Sequence, residues 1–301
     1  MADQVDVAII GGGPAGLTAA TYLRRFLRSC VVIDAGHSRA RYIPESHNCP
    51  GFPQGVSGTE LLARMRAQAG AFEAEIVHAR VDRIDTASEG FRIQAGERHW
   101  QARNVILATG VADRLPDVPW CEDAIARGAL RLCAVCDAYE ARDQRIGIHG
   151  PADGLVGHAR FLRAYSPRLA LLPTDHALSG ADAAAARELG VEVLPAGGHL
   201  DFDGERCHYR GAAGDGAFDA VFDTVYPYLG HHGHADLLHG VGLSGDEGEL
   251  RVDLHQQTRI PGLYAIGDVV SGLNQISVAF GQAAIAATHV HNTLPHVPRS
   301  G

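Results

Sequence analysis

The chain has 301 residues, 46% of them hydrophobic and 20% charged, enough to bury a core in two domains, and its formal net charge of -9 repels a phosphate backbone and argues against a nucleic-acid partner. It holds no lysine, so every residue in its Lys+Arg total of 26 is arginine, which excludes Schiff-base catalysis and a P-loop. No apolar run approaches the roughly 20 residues of a membrane span, and the opening MADQVDVAII lacks the basic n-region of a signal peptide, so a soluble cytoplasmic protein is expected.

In chain order, VDVAII (5–10) is a β-branched run of the kind buried in a parallel strand, and GGGPAG follows at once. Gly11, Gly13 and Gly16 fit G-x-G-x-x-G. LTAATYLRRFLRS then carries Leu17, Ala20, Leu23 and Leu27 at helical spacing, and CVVID is a second strand ending in Asp34. In such a unit two glycines let the backbone approach a pyrophosphate at a helix N-terminus, the third packs helix on strand, and the acid accepts from ribose hydroxyls. The unit therefore predicts dinucleotide binding. Further on come HNCPGFPQGVSGTELLARMRAQA with Asn48 and Cys49, and the strand-and-turn VILATG with Thr109 and Gly110.

RLCAVCDAYE (131–140) places Cys133 and Cys136 three apart, a spacing that serves disulphide exchange and zinc binding equally well. A structural zinc site wants four ligands, and no second C-x-x-C exists, so no metal is expected. Cys30, Cys121 and Cys207 have no spaced partner and are expected to be buried thiols. GHHGHADLLH, with His231, His232, His234 and His239, is expected to be a loop rather than a ligand set. TRIPGLYAIGDVV predicts a strand and a Gly267-Asp268 turn, and NQISVAFGQAAIAATHVHN an alanine-rich helix.

Taken in this order, the motifs resemble the low-molecular-weight thioredoxin reductases over nearly the whole chain. The resemblance implies FAD, held by Gly11, Gly13, Pro14, Ala15, Gly16, Asp34, Asn48, Thr109, Gly110, Gly267, Asp268, Gln275 and Ile276. Asp268 would hold the ribityl chain, and the helix after it would point its N-terminus at the flavin pyrimidine and stabilise an anionic reduced flavin. The resemblance also makes Cys133 and Cys136 a redox pair, with Cys136 facing the flavin, Cys133 attacking the outside partner and Asp137 as acid/base. A helix N-terminus would lower the pKa of the cysteine placed on it. It further implies a homodimer.

One family feature is altered. The second fingerprint, for NADPH, is replaced by RIGIHGPADGLVGHARFL, which reads Gly150, Ala152, Leu155, and the following LALLPTDHALSG lacks the arginine pair for a 2'-phosphate. Asp175 and His176 stand there instead, leaving NADH disfavoured and NADPH improbable. Relatives without that fingerprint include the flavin dithiol oxidases of the gliotoxin and holomycin type, which pass electrons to oxygen and often carry histidine where this chain keeps Asp137, and others fed by ferredoxin. The expected fold is two α/β domains of the doubly wound, three-layer kind: an FAD-binding domain from 1–114 and 244–301, and an inserted NAD(P)-type domain, 115–243, that carries the C-x-x-C. The expected activity is a dithiol oxidase acting on a small-molecule or protein thiol pair. The alternatives are a disulphide reductase using NAD(P)H or ferredoxin, and a non-enzymatic redox-sensing flavoprotein.

Overall fold

In a computed structural model, which describes residues 3–213, 216–233, 237, 240–243, 250–270 and 272–296, the first strand is β1 (Asp3–Ile10). Helix α1 (Pro14–Arg25) begins three residues before the expected Leu17, because Pro14 sits in the first turn, where its fixed φ suits the helix and its missing N–H is not needed. Strand β2 (Cys30–Asp34) is buried along its whole length, as a central parallel strand must be. Ser57 caps α2 (Gly58–Ala71) by accepting from Glu60 N at 3.2 Å. Strand β3 (Glu75–His78) precedes the antiparallel run β4 (Arg83–Ala87), β5 (Gly90–Ala95) and β6 (Arg98–Leu107).

Next come β7 (Ala112–Asp113), α3 (Cys121–Ala126), α4 (Ala134–Asp137), β8 (Ile146–Gly150), α5 (Leu155–Leu162), β9 (Leu169–Pro173), α6 (Gly180–Glu188) and β10 (Glu192–Val193). The meander β11 (His199–Phe202), β12 (Cys207–Ala213) and β13 (Gly216–Phe222) follows, and then β14 (Thr224–Pro227) and β15 (His231–His232). Strand β16 (Leu263–Ala265) and α7 (Ile276–Thr293) end the chain's regular structure.

The first sheet runs β3-β2-β1-β6-β5-β4, with β16 joining β6 in parallel. It thus takes strands from both ends of the chain. Along β1 the residues alternate between two cores: Val7 and Ile9 face α1, α2 and α7, while Ala8 and Ile10 face the side that holds Phe91 and Trp100. The second sheet is parallel, in the order β10-β9-β8-β14, and the β11-β12-β13 meander forms a third. The chain passes between the first and second sheets at β7 and β15, which pair with each other, His231 opposite Asp113 and His232 opposite Ala112. Two of the histidines expected in a loop therefore form a strand; His234 and His239 lie outside the described residues, as does position 244 of the expected domain boundary. Among the described residues no helix is long and apolar enough to cross a membrane.

Candidate active site

The carboxyl ends of β1, β2, β6 and β16 open onto one cavity of about 730 Å3, the crevice where α/β sheets bind ligands. Every residue expected at the cofactor lines it except Gly16, and Cys133, Cys136 and Asp137 line it too. Gly16 works from behind the cavity: a Cβ there would stand 2.0 Å from Gly11 O, so its absence lets α1 sit tight against β1. A Cβ on Gly13 would meet only the Ser38 side chain, at 3.2 Å, and Gly13 N–H has no protein acceptor among the described residues. Bare glycine backbone at a helix N-terminus is a fitting cradle for a pyrophosphate.

Asp34 lies at the end of β2, 4% exposed. Burial pushes its carboxyl up, but Arg66, which donates to it at 2.5 Å, and the N–H groups of Gly36 and Gly12 outweigh burial and hold it below its usual value. It is an ionised acceptor, as a ribose contact requires. On the opposite wall Arg39 bridges Asp113 at 2.6 Å and Asp268 at 3.4 Å. Burial raises the Asp268 carboxyl above its usual value, with Arg39 opposing. Arg66 and Arg39 are not foreseen by the sequence, because the pairs join positions 32 and 229 residues apart.

Cys133 and Cys136 form a disulphide with a Cα–Cα distance of 5.3 Å. Cys133 caps the four-residue α4, and the segment just ahead of it is pinned to β14 by Arg131 N–H donating to Val225 O at 2.9 Å. Gln275, the residue capping α7, brings its amide nitrogen to 3.3 Å from Cys136 Sγ and 3.6 Å from Cys133 Sγ. Its oxygen accepts from Asn48 at 3.0 Å, and Asn48 in turn accepts from Ser46 Oγ at 3.1 Å. Two residues expected to touch only the cofactor therefore also position the sulphurs.

Asp137, expected as the acid/base, has both oxygens engaged: Tyr226 OH donates to one at 2.8 Å and Arg131 pairs with the other at 3.2 Å. Burial keeps its carboxyl above the usual range in spite of both partners. The other four cysteines are free and buried; burial raises Cys30 and Cys207 to about 12, Cys121 to about 11, and Cys49 to a lesser extent. They are inert thiols.

The two fingerprints differ in where their helices begin. Helix α1 starts at the fourth fingerprint residue, Pro14, whereas α5 starts at the sixth, Leu155. Two residues at the helical rise withdraw the N-terminus by about 3 Å. Leu155, 1% exposed, fills the space that a glycine leaves empty in the first motif, packing with Ile146 and Ile148 in the core against the second sheet. Ala152 is also 1% exposed, so its methyl is packed inside rather than projecting at a phosphate. What meets its N–H is the Asp175 carboxylate, at 2.9 Å. The equivalent N–H on Gly13 has no acceptor among the described residues.

A profile of the pyridine nucleotide-disulphide oxidoreductase family matches residues 5–283. A thioredoxin reductase of Streptomyces coelicolor is 30% identical, the match covering 90% of this chain and 87% of that one. The crystal structure of thioredoxin reductase from Streptococcus pyogenes superposes with a TM-score of 0.88 at 27% identity, covering 97% and 98% of the two chains. The crystal structure of HlmI superposes with a TM-score of 0.87 at 27% identity, covering 96% and 92%.

Proposed function

The chain belongs to the pyridine nucleotide-disulphide oxidoreductase family, as a flavin disulphide oxidoreductase of the thioredoxin reductase type, and from that premise we propose that it runs as a dithiol oxidase: a substrate dithiol reduces the Cys133–Cys136 disulphide, and the electrons leave through FAD to oxygen, giving peroxide. The observation that carries this direction is the Asp175 carboxylate on the Ala152 N–H at 2.9 Å. It fills the anion position of the second turn with a negative charge of the protein's own. With α5 starting late and no arginine in 174–180, a nicotinamide dinucleotide finds neither backbone nor charge for its phosphates.

FAD, when bound, accepts the electron pair of the reduced cysteines and hands it on to oxygen. The chain's own residues do the rest. Cys133 exchanges with the substrate and Cys136 stands on the flavin side. The Gln275 amide, within reach of both sulphurs, donates to whichever thiolate forms. Arg131 and Tyr226 hold Asp137 beside the pair, fixing the geometry of the turn that carries it. Residues 1–114 and 244–301 serve as the FAD-binding domain, and 115–243 serves as a scaffold that presents the cysteines. The working unit is a homodimer and the compartment the cytoplasm.

One feature favours a second reading, a reductase fed by NADH: Asp175 stands just beyond β9, where a ribose hydroxyl would seek an acceptor. That reading requires the carboxylate to leave the Ala152 N–H. Oxygen uptake decides between them. The holoprotein given a dithiol in air should consume one oxygen for each disulphide formed and release peroxide; flavin that is reduced by the dithiol but consumes no oxygen would remove the oxidase reading.

A further inference from the structure

Resting on the dithiol reading above, we propose that Glu140 is the proton acceptor for the substrate thiol, and that the cleft it borders binds a small-molecule dithiol with an apolar body. Glu140 Oε2 is buried and has no hydrogen-bond partner among the described residues. The residue as a whole borders two spaces: Glu140 lines both the flavin cavity and a second cleft of about 570 Å3. Cys136, four residues earlier, lines both as well. A buried carboxylate oxygen without a donor is an unfavourable arrangement that an arriving thiol proton relieves. Each oxygen of Asp137 already has one partner, Tyr226 or Arg131, whereas Glu140 Oε2 has none among the described residues.

The cleft has the volume of a small-ligand site. Ala134, Val135, Ala138, Tyr139 and Tyr165 give it apolar walls, and Val135 and Tyr139 are 54% and 65% exposed. His47 and Asn48 add polar groups. The titratable and charged groups around Glu140 are Asp137 on its own segment, Arg131 ahead of it, Tyr226 on β14, His47 with its partner Glu45, and Tyr139 and Tyr165 on the cleft wall.

The first substrate thiol gives its proton to the Glu140 carboxylate, and the resulting thiolate bonds to one sulphur of the Cys133–Cys136 pair. The bond between the cysteines breaks, and the other sulphur leaves as a thiolate with the electron pair. The second substrate thiol passes its proton to that thiolate and displaces the first cysteine from the mixed disulphide. The substrate departs as a disulphide, short of two protons and two electrons, and the cysteine pair has gained the two electrons.

The test uses anaerobic holoprotein with 1,4-dithiothreitol, following the flavin absorbance and, in quenched samples, the alkylatable thiols of Cys133 and Cys136. Glu140→Gln, matched to the wild type in FAD content, should react slower on the order of 100-fold near neutral pH. The two rates should converge above about pH 9, where a thiol of ordinary pKa ionises unaided. Glu140→Asp should recover part of the loss. Equal rates at neutral pH, or a loss that is the same at every pH, would overturn the assignment of Glu140. A reduced protein dithiol of thioredoxin size reacting faster than dithiothreitol would overturn the small-molecule assignment. If neither dithiol reduces the wild type while NADPH does, the dithiol reading itself falls and this proposal falls with it.

Discussion

Replacing Gly16 by alanine would put a methyl 2.0 Å from Gly11 O and 3.3 Å from the Ala108 Cβ. Such contacts stay above 3.0 Å in real structures, so α1 must back away from β1 by roughly 1 Å. Its other side gives no room, since Leu17, Ala19, Ala20 and Leu23 are wholly buried. Overpacking of this kind costs about 1–3 kcal/mol. The same shift carries the helix N-terminus away from the phosphates. Gly13→Ala separates the two effects: Gly13 has φ -79, ordinary for alanine, and the added methyl meets only Ser38 before entering the cavity. The Gly16→Ala apoprotein should therefore melt below the wild type and bind FAD poorly. The Gly13→Ala apoprotein should melt with the wild type, yet bind FAD weaker by about 10- to 100-fold, or 1.4–2.7 kcal/mol. Circular dichroism melts of the apoproteins and fluorescence titration with FAD read both quantities. Wild-type melting and FAD binding in Gly16→Ala would refute the close seating of α1 on β1.

Asp268→Ala should weaken FAD binding, because it removes a half-buried carboxylate from the cavity wall and leaves Arg39 with Asp113 alone; equal FAD retention through gel filtration would remove Asp268 from the cofactor site. Cys133→Ser should leave Cys136 as a lone thiolate donor to oxidised flavin and show a long-wavelength charge-transfer band, while Cys136→Ser should not, and the reverse pattern would exchange the two roles. On the meander, His208 donates to Asp203 and Asp219 at 3.0 Å each, and these bonds raise its pKa above the ordinary value. Its stabilisation is complete below the unfolded value of about 6.5 and is lost as pH rises through the folded value. The melting advantage of the wild type over His208→Asn should accordingly be larger near pH 6 than near pH 9, and an advantage independent of pH would contradict the paired imidazolium.

The parts legible in the sequence were those written in local pattern. VDVAII, GGGPAG and CVVID specify strand, turn, helix and strand within thirty residues of one another, and β1, α1 and β2 follow them with only the helix start displaced to Pro14. The spacing of Cys133 and Cys136 left disulphide and zinc open, and only the resemblance, carried in part by the contiguous Asp137, marked them as a redox pair. What spacing could not give was the company those residues keep. Tyr226 reaches Asp137 only because β14 pairs with β8, and Arg131 bonds to β14. Asp175 was visible as an acid just past a strand, but that its carboxylate closes on Ala152 N–H depends on the path of two loops 23 residues apart. Glu140 carried no signal beyond its place after the motif, since an unpaired oxygen is a property of the packing around it.

Whether electrons enter through the cysteine pair or through a nicotinamide is decided by mixing anaerobic holoprotein in a stopped-flow cell with NADPH or with dithiothreitol and following the flavin absorbance. The Asp175 carboxylate on the Ala152 N–H and the late start of α5 lead to slow or no reduction by millimolar NADPH, and to full reduction by the dithiol. Rapid reduction by NADPH would contradict the account and make the protein a disulphide reductase.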